Sequence, residues 1–172
     1  MLTVAETILT RRSCRAYTER SISDEDMQAL LSAAIYAPSG KNMQDRQFTV
    51  LRKRETIAAF ARVAATALKR EKYDFFQPAA LIIASSDPTN PNSGFDCACS
   101  LQNIFLMAHS LGIGSCWINQ IQYVEDEPAV RQLLTQLGVP ADHHVYGLAA
   151  LGYPAEPPKA VDKSAQRIHF AD

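Results

Sequence analysis

The sequence has no run of about 18 consecutive apolar residues, the length that a membrane-spanning helix needs. It also has almost no net charge, with 17 Lys and Arg against 18 Asp and Glu, or −1 at neutral pH. A general binder of nucleic acid or membrane surfaces needs a basic excess to meet phosphate. Neither partner is expected, and any anion site must come from local clustering of charge. Met1 to Thr10 contains Glu6 and lacks the basic-then-apolar pattern of a secretory signal, which predicts a cytoplasmic location. Cysteines are few (Cys14, Cys97, Cys99 and Cys116), and in that compartment they read as reduced thiols. Cys97 and Cys99 lie two apart on a predicted helix and so point to opposite sides. No shared metal ion is expected of them. Walker loops, G-x-S-x-G elbows and zinc-type histidine pairs are absent. No nucleophile stands beside its own base. If the chain is an enzyme, a cofactor carries the chemistry, and no catalytic side chain is assigned.

Apolar residues make up 47% and charged residues 20% of 172 residues, an ordinary globular balance. With no repeat and no dividing linker, residues 1–172 read as one domain. A chain of this size can bury about 70% of its unfolded surface. Thr3-Val4-Ala5-Glu6 has the form of a capping box, predicting a helix to about Thr10. Ser23-Asp24-Glu25-Asp26 starts a second, with Met27, Leu30, Leu31, Ala34 and Ile35 on one face and Pro38 as its stop. Ile57, Phe60, Ala61, Ala64 and Leu68 mark a third. Val130, Leu133, Leu134 and Leu137 mark another, stopped by Gly138 and Pro140. Phe95 to Leu111 is apolar almost all round, which predicts a helix through the middle of the core. Strands are predicted at 47–51, 79–84, 115–119 and 145–151, the second buried on both faces. This alternation gives an α+β or α/β sandwich. The tail from Pro154 to Asp172, rich in Pro and Lys, has no way to bury itself and is expected to pack on a second subunit.

Four clusters can carry chemistry. Arg11-Arg12-Ser13-Cys14-Arg15 puts three guanidiniums in five residues, and Arg suits phosphate because its planar fork donates two parallel hydrogen bonds. In an extended segment Arg11, Ser13 and Arg15 share one side, opposite Arg12. The competing reading is a solvated basic turn paired with Glu19, Asp24 or Glu25. The turn Pro38-Ser39-Gly40-Lys41-Asn42-Met43-Gln44 offers two carboxamides suited to the mixed donor and acceptor edge of a heterocycle, or else a plain Asx-turn. Gly112-Ile113-Gly114 follows a helix and precedes a strand, the reverse of a dinucleotide fingerprint. It either lets backbone approach a flat ligand or caps the helix. Lys159 and Lys163 can add a mobile positive charge. His109 reads as a satisfied core histidine, and His143 and His144 as surface or capping residues.

In order and spacing these segments resemble the nitroreductase family of FMN-dependent oxidoreductases. The likeness rests on Arg11-Arg12-Ser13-x-Arg15-x-Tyr17 and Ala37-Pro38-Ser39-x-x-Asn42-x-Gln44. It continues through Gln102-Asn103-x-x-Leu106-x-Ala108 into Gly112-Ile113-Gly114-Ser115, and ends in Leu151-Gly152-Tyr153-Pro154. The resemblance implies an α+β sandwich, a central sheet flanked by helices, in an intertwined homodimer with FMN at the interface. Arg11, Arg12, Ser13 and Arg15 would bind the phosphate, ribityl chain and pyrimidine side. Pro38, Ser39, Asn42 and Gln44 of the other subunit would line the ring. Gly112, Ile113 and Gly114 would lie near it, and Lys159 or Lys163 would complete the phosphate site.

The resemblance further implies a ping-pong reaction in which NADH or NADPH reduces the flavin and a nitroaromatic or quinone reoxidises it. Alternatives are a reductive dehalogenase of the same family, a non-catalytic flavin-binding or sensing module, and a dimeric scaffold whose arginines hold an acidic partner. Two departures stand out. Family members often continue Gln-Pro-Trp where this chain has Gln44-Asp45-Arg46, giving a more polar edge. The stretch Lys69 to Gln77, where longer members carry a lid, is short, implying an open pocket.

Overall fold

The computed structural model describes residues 2–157, 159 and 168–171. Five helices and four strands follow in the order α1 (Val4–Thr10), α2 (Asp24–Ile35), β1 (Gln47–Leu51), α3 (Arg54–Ala67), β2 (Ala80–Ser86), α4 (Ser93–Ser110), β3 (Gly114–Ile118), α5 (Pro128–Gln136) and β4 (His144–Gly152). The capping box at α1 forms in full. Thr3 Oγ1 accepts from Glu6 N–H at 3.2 Å, and Glu6 Oε2 accepts from Thr3 N–H at 2.7 Å. Ser23 caps α2 by accepting from Asp26 N–H. Short 3₁₀ turns at Gly40–Asn42 and Gln120–Tyr123 carry no periodicity and are not foreseen from the sequence.

The strands form one sheet in the order β1-β2-β4-β3, and every pairing is antiparallel. An unbroken apolar strand such as β2 is the habit of parallel sheets; here it arises because helices cover both faces. Successive side chains alternate between the faces. Leu81 and Ile83 join Ile57, Phe60 and Leu134 under α3 and α5. Ile82 and Ala84 join Leu30, Leu101 and Ile104 under α2 and α4. The fold is thus the expected α+β sandwich.

One expectation fails. Helix α4 is not enclosed all round within one chain. Cys97, Leu101, Ile104 and Phe105 are buried, whereas Phe95 is 74% exposed and Cys99 and Gln102 face outward. The sheet and α2 cover one face and α1 touches its end, whereas the side carrying Phe95, Cys99 and Gln102 is exposed among the described residues. Cys97 and Cys99 do diverge, one buried and one exposed. Burial pushes the Cys97 thiol up to about 12.

The start of β4 is fastened by ions. The Glu125 side chain is 2% exposed and lies 3.3 Å from Arg131 Nη2 and 2.6 Å from His144 Nδ1. It also accepts from Val145 N–H at 2.7 Å, and Arg131 donates to the His143 carbonyl. The adjacent histidines therefore fasten α5 to the sheet. Removing one partner of a buried ion pair strands the other charge, at about 3–5 kcal/mol. Arg131→Ala is expected to lower unfolding free energy by about 3 kcal/mol in urea titrations, and a loss under about 1 kcal/mol would contradict this assignment.

Candidate functional site

The basic segment leaves α1 and is laid along the free edge of β3. Ser13 bridges Ser115 in parallel, Tyr17 bridges Pro154, and Cys14 N–H donates to Ser115 O at 2.8 Å. Two glycines make this close approach possible. A Cβ on Gly114 would stand 2.8 Å from Cys14 Cβ, and one on Gly152 would stand 2.9 Å from the Tyr17 ring. Gly114 therefore serves contact within the chain. Gly112, at φ +73° with open space where a Cβ would project, is the glycine that leaves backbone open to a ligand.

A cleft of about 200 Å³ opens between this segment and the end of α4, lined by Arg11, Arg12, Cys14, His109, Gly112, Ile113, Gly114, Ser115 and Pro154. Strict alternation does not hold at its mouth. Arg11 caps α1 with φ −56° and ψ 134°, and Arg11 and Arg12 both line the cleft. Ser13 and Arg15 are exposed outside it. Arg15 lies 5.9 Å from the centre of the Phe76 ring. The stretch 69–77 is pinned down, since Phe75 is fully buried with ring centres 5.0 Å from Phe60 and 4.9 Å from Tyr73.

Positive charge gathers at the cleft, where Arg11 and Arg12 stand side by side. Burial first, and the neighbouring Arg12 second, hold the Arg11 guanidinium below its ordinary pKa. His109, expected in the core, instead lines the cleft half-buried, with Nε2 2.8 Å from Thr10 Oγ1. Burial, then Arg11 and Arg12, hold its imidazole below the ordinary value. An anion is the ligand that such a donor set stabilises.

The second predicted cluster lies at the other end of α4. Gly40 N–H donates to both carboxylate oxygens of Asp96, at 3.0 and 3.2 Å, in the first turn of that helix. From Asp96 to His109 the helix rises roughly 20 Å at about 1.5 Å per residue. Asn42 and Gln44 are exposed and joined by a 2.6 Å hydrogen bond. One chain does not bring Pro38, Ser39, Asn42 and Gln44 into the cleft. The start of the tail stays on its own chain, where Ala155 N–H donates to Ala16 O. Lys159 is exposed, and Lys163 lies outside the described residues. Sequence reasoning missed His109 and Ser115 as lining residues; the available signal was their place within three residues of Gly112.

Residues 8–153 match the model of the Nitroreductase family. An inferred NADH dehydrogenase/NAD(P)H nitroreductase of Archaeoglobus fulgidus is 36% identical over 158 residues, covering 87% of this chain and 84% of that protein. The crystal structure of a nitroreductase with bound FMN from Bacteroides fragilis superposes with a TM-score of 0.89 at 38% identity, covering 99% of this chain and 100% of that one. A second FMN-bound nitroreductase, from Desulfitobacterium hafniense, gives 0.86 at 25% identity with both chains covered in full.

Because the folded-state pKa of His109 is depressed, its contribution to stability is present above the unfolded value near 6.5 and is lost as pH falls through the folded one. Arg11→Ala removes one repelling charge and is expected to raise the His109 titration midpoint in NMR. An unmoved midpoint would show that the two groups do not share the cleft.

Proposed function

As the chain belongs to the nitroreductase family, we propose that it is an FMN-dependent oxidoreductase transferring a hydride from NADH or NADPH to a small oxidised acceptor such as a nitroaromatic or quinone. The observation that carries this reading is the convergence of Arg11, Arg12 and the open backbone of Gly112 on one cleft, in a protein with almost no net charge. Two guanidiniums fit a phosphate, and the αL backbone at Gly112 fits the approach of a flat ring. Bound FMN would supply the two-electron chemistry, alternating between nicotinamide and acceptor in a ping-pong cycle.

The residues of the chain hold, orient and polarise. Arg11 and Arg12 bind the phosphate, with Ser13 as a hydroxyl donor at the edge and Lys159 or Lys163 as further charge. Arg15, beside Phe76, would stabilise negative charge on the pyrimidine side with its guanidinium. Gly112, Ile113 and Gly114 lie near the ring. No acid or base of the protein is required, because the acceptor draws its protons from water.

The site is completed by a second copy of the chain. A groove of about 350 Å³ between α1, α2 and α4 is lined by Val4, Ile8, Leu106 and Met107, and Val4 and Leu9 are 76% and 72% exposed. Apolar surface of this kind marks an interface. A homodimer covers it together with the outer face of α4. It also delivers Pro38, Ser39, Asn42 and Gln44 of one copy to the cleft of the other, with the tail beyond Ala155 following the same path.

Purified protein is expected to be yellow and to bleach under NADH or NADPH; colourless protein that takes up no added FMN ends this reading. Replacing Arg11 and Arg15 together with Ala removes two charged contacts worth about 1.5–3 kcal/mol each. FMN affinity should then fall at least about a hundredfold in fluorescence titrations.

A further inference from the structure

The loop that carries Asn42 and Gln44 is strained. Lys41, Asn42 and Gln44 have φ of 51°, 57° and 55°, a left-handed conformation that non-glycine residues rarely adopt. Such backbone persists only where its surroundings over-determine it, and it gathers at ligand sites. Local bonds contribute little restraint. Asn42 N–H donates to Ser39 O at 3.0 Å, and Gln44 N–H to Ser39 Oγ at 3.3 Å. Both keep the loop tied only to itself.

Asn90 donates to Asp45 Oδ2 at 2.8 Å beyond the loop's end, and the restraint at the loop's entry comes from Arg46. Where family members often carry Trp, this guanidinium turns inward from an exposed turn. Nη2 donates to the Ala37 carbonyl at 3.1 Å. Nη1 is shared between the Pro38 carbonyl at 3.0 Å, the Ser100 hydroxyl at 2.8 Å and the Asp96 carbonyl at 3.3 Å. Ala37 and Pro38 enter the loop, whereas Asp96 and Ser100 belong to α4 and are buried. The fork therefore spans loop and helix, which a point charge on a flexible stem does not do. Asp96 completes the clamp by accepting from Gly40 N–H.

We propose that Arg46 is a positioning residue for the cofactor. By clamping the entry of the Ser39–Gln44 loop to α4, it fixes the carboxamides of Asn42 and Gln44 for the flavin held by the other subunit. This rests on the function proposed above. It replaces the expectation of a merely more polar pocket edge, because the guanidinium is spent inside the chain and only its consequence reaches the ligand.

The test is a double-mutant cycle on the dimer, read as FMN affinity and as the visible circular dichroism of bound flavin. A residue acting through Asn42 and Gln44 loses its effect once those side chains are gone. Arg46→Ala is expected to weaken FMN tenfold or more and to alter the flavin dichroism. In the Asn42→Ala/Gln44→Ala background the same change should cost less than threefold. An equal loss in both backgrounds would show a general structural role and overturn the proposal, as would no loss at all. Should Arg46→Ala fail to fold, Ser100→Ala severs one arm of the fork on the helix side. It is expected to weaken FMN two- to fivefold, again only when Asn42 and Gln44 are present. Wild-type protein that binds no FMN overturns the proposed function itself, whereas FMN-binding wild type with unaffected variants overturns the clamp alone.

Discussion

Helix α4 is the constraint on which the rest of the molecule depends. It is a rod of 18 residues with one of the two candidate clusters at each end. Asp96 in its first turn holds Gly40, and its last turn runs through His109 into Gly112 beside Arg11 and Arg12. A rod cannot bend its ends together, so within one chain the two clusters stay apart. A dimer that places two such helices side by side in opposite directions brings the head of each to the foot of the other. The incomplete burial of α4 and the separation of the two clusters would then have one cause, the second copy proposed above.

The electrostatics follow the same geometry. A chain with almost no net charge would be expected to scatter its arginines or pair them. Arg52 and Arg54 do so, with Asp24 and Glu19, and Arg131 does so with Glu125. Of the acidic residues weighed from sequence as partners for the basic run, Asp24 and Glu19 serve arginines farther along the chain. Arg11 and Arg12 line the cleft beside a histidine whose protonation they oppose.

Much of the fold was legible because the signals are local. Thr3 and Glu6 form their capping box, Met27, Leu30 and Ala34 fall on the buried stripe of α2, and the strands lie within a residue or two of where β-branched runs placed them. Long-range partners are what sequence does not encode in a window. The burial of α4 was overestimated because an apolar outer face looks the same whether its own domain or a second copy covers it. The alternation read across Arg11 and Arg12 failed because Arg11 is the cap of α1, where the chain turns out of the helix before the extended segment begins. His109 and Arg46 were misplaced for a related reason: each takes its role from neighbours distant in sequence, Thr10 for the one and Asp96 and Ser100 for the other.

The proposed clamp at Asp45-Arg46 would change the chemistry of a family position and keep a mechanical role there. A Trp anchors a loop by burying its ring, an effect that is non-directional and tolerant of small shifts. An arginine anchors by aligned hydrogen bonds, which fix distance and angle to each acceptor. Two of its acceptors, the Ala37 and Pro38 carbonyls, lie just beyond the end of α2, where carbonyls lack helical partners. The guanidinium therefore satisfies groups that an indole would have left to water, and it does so with one side chain reaching both helices. A directional anchor of this kind suits a loop whose backbone is held in a left-handed conformation, because such a loop relaxes wherever its restraint is loose. The polar motif is thus compatible with a ring-facing loop at least as firmly placed as the aromatic version.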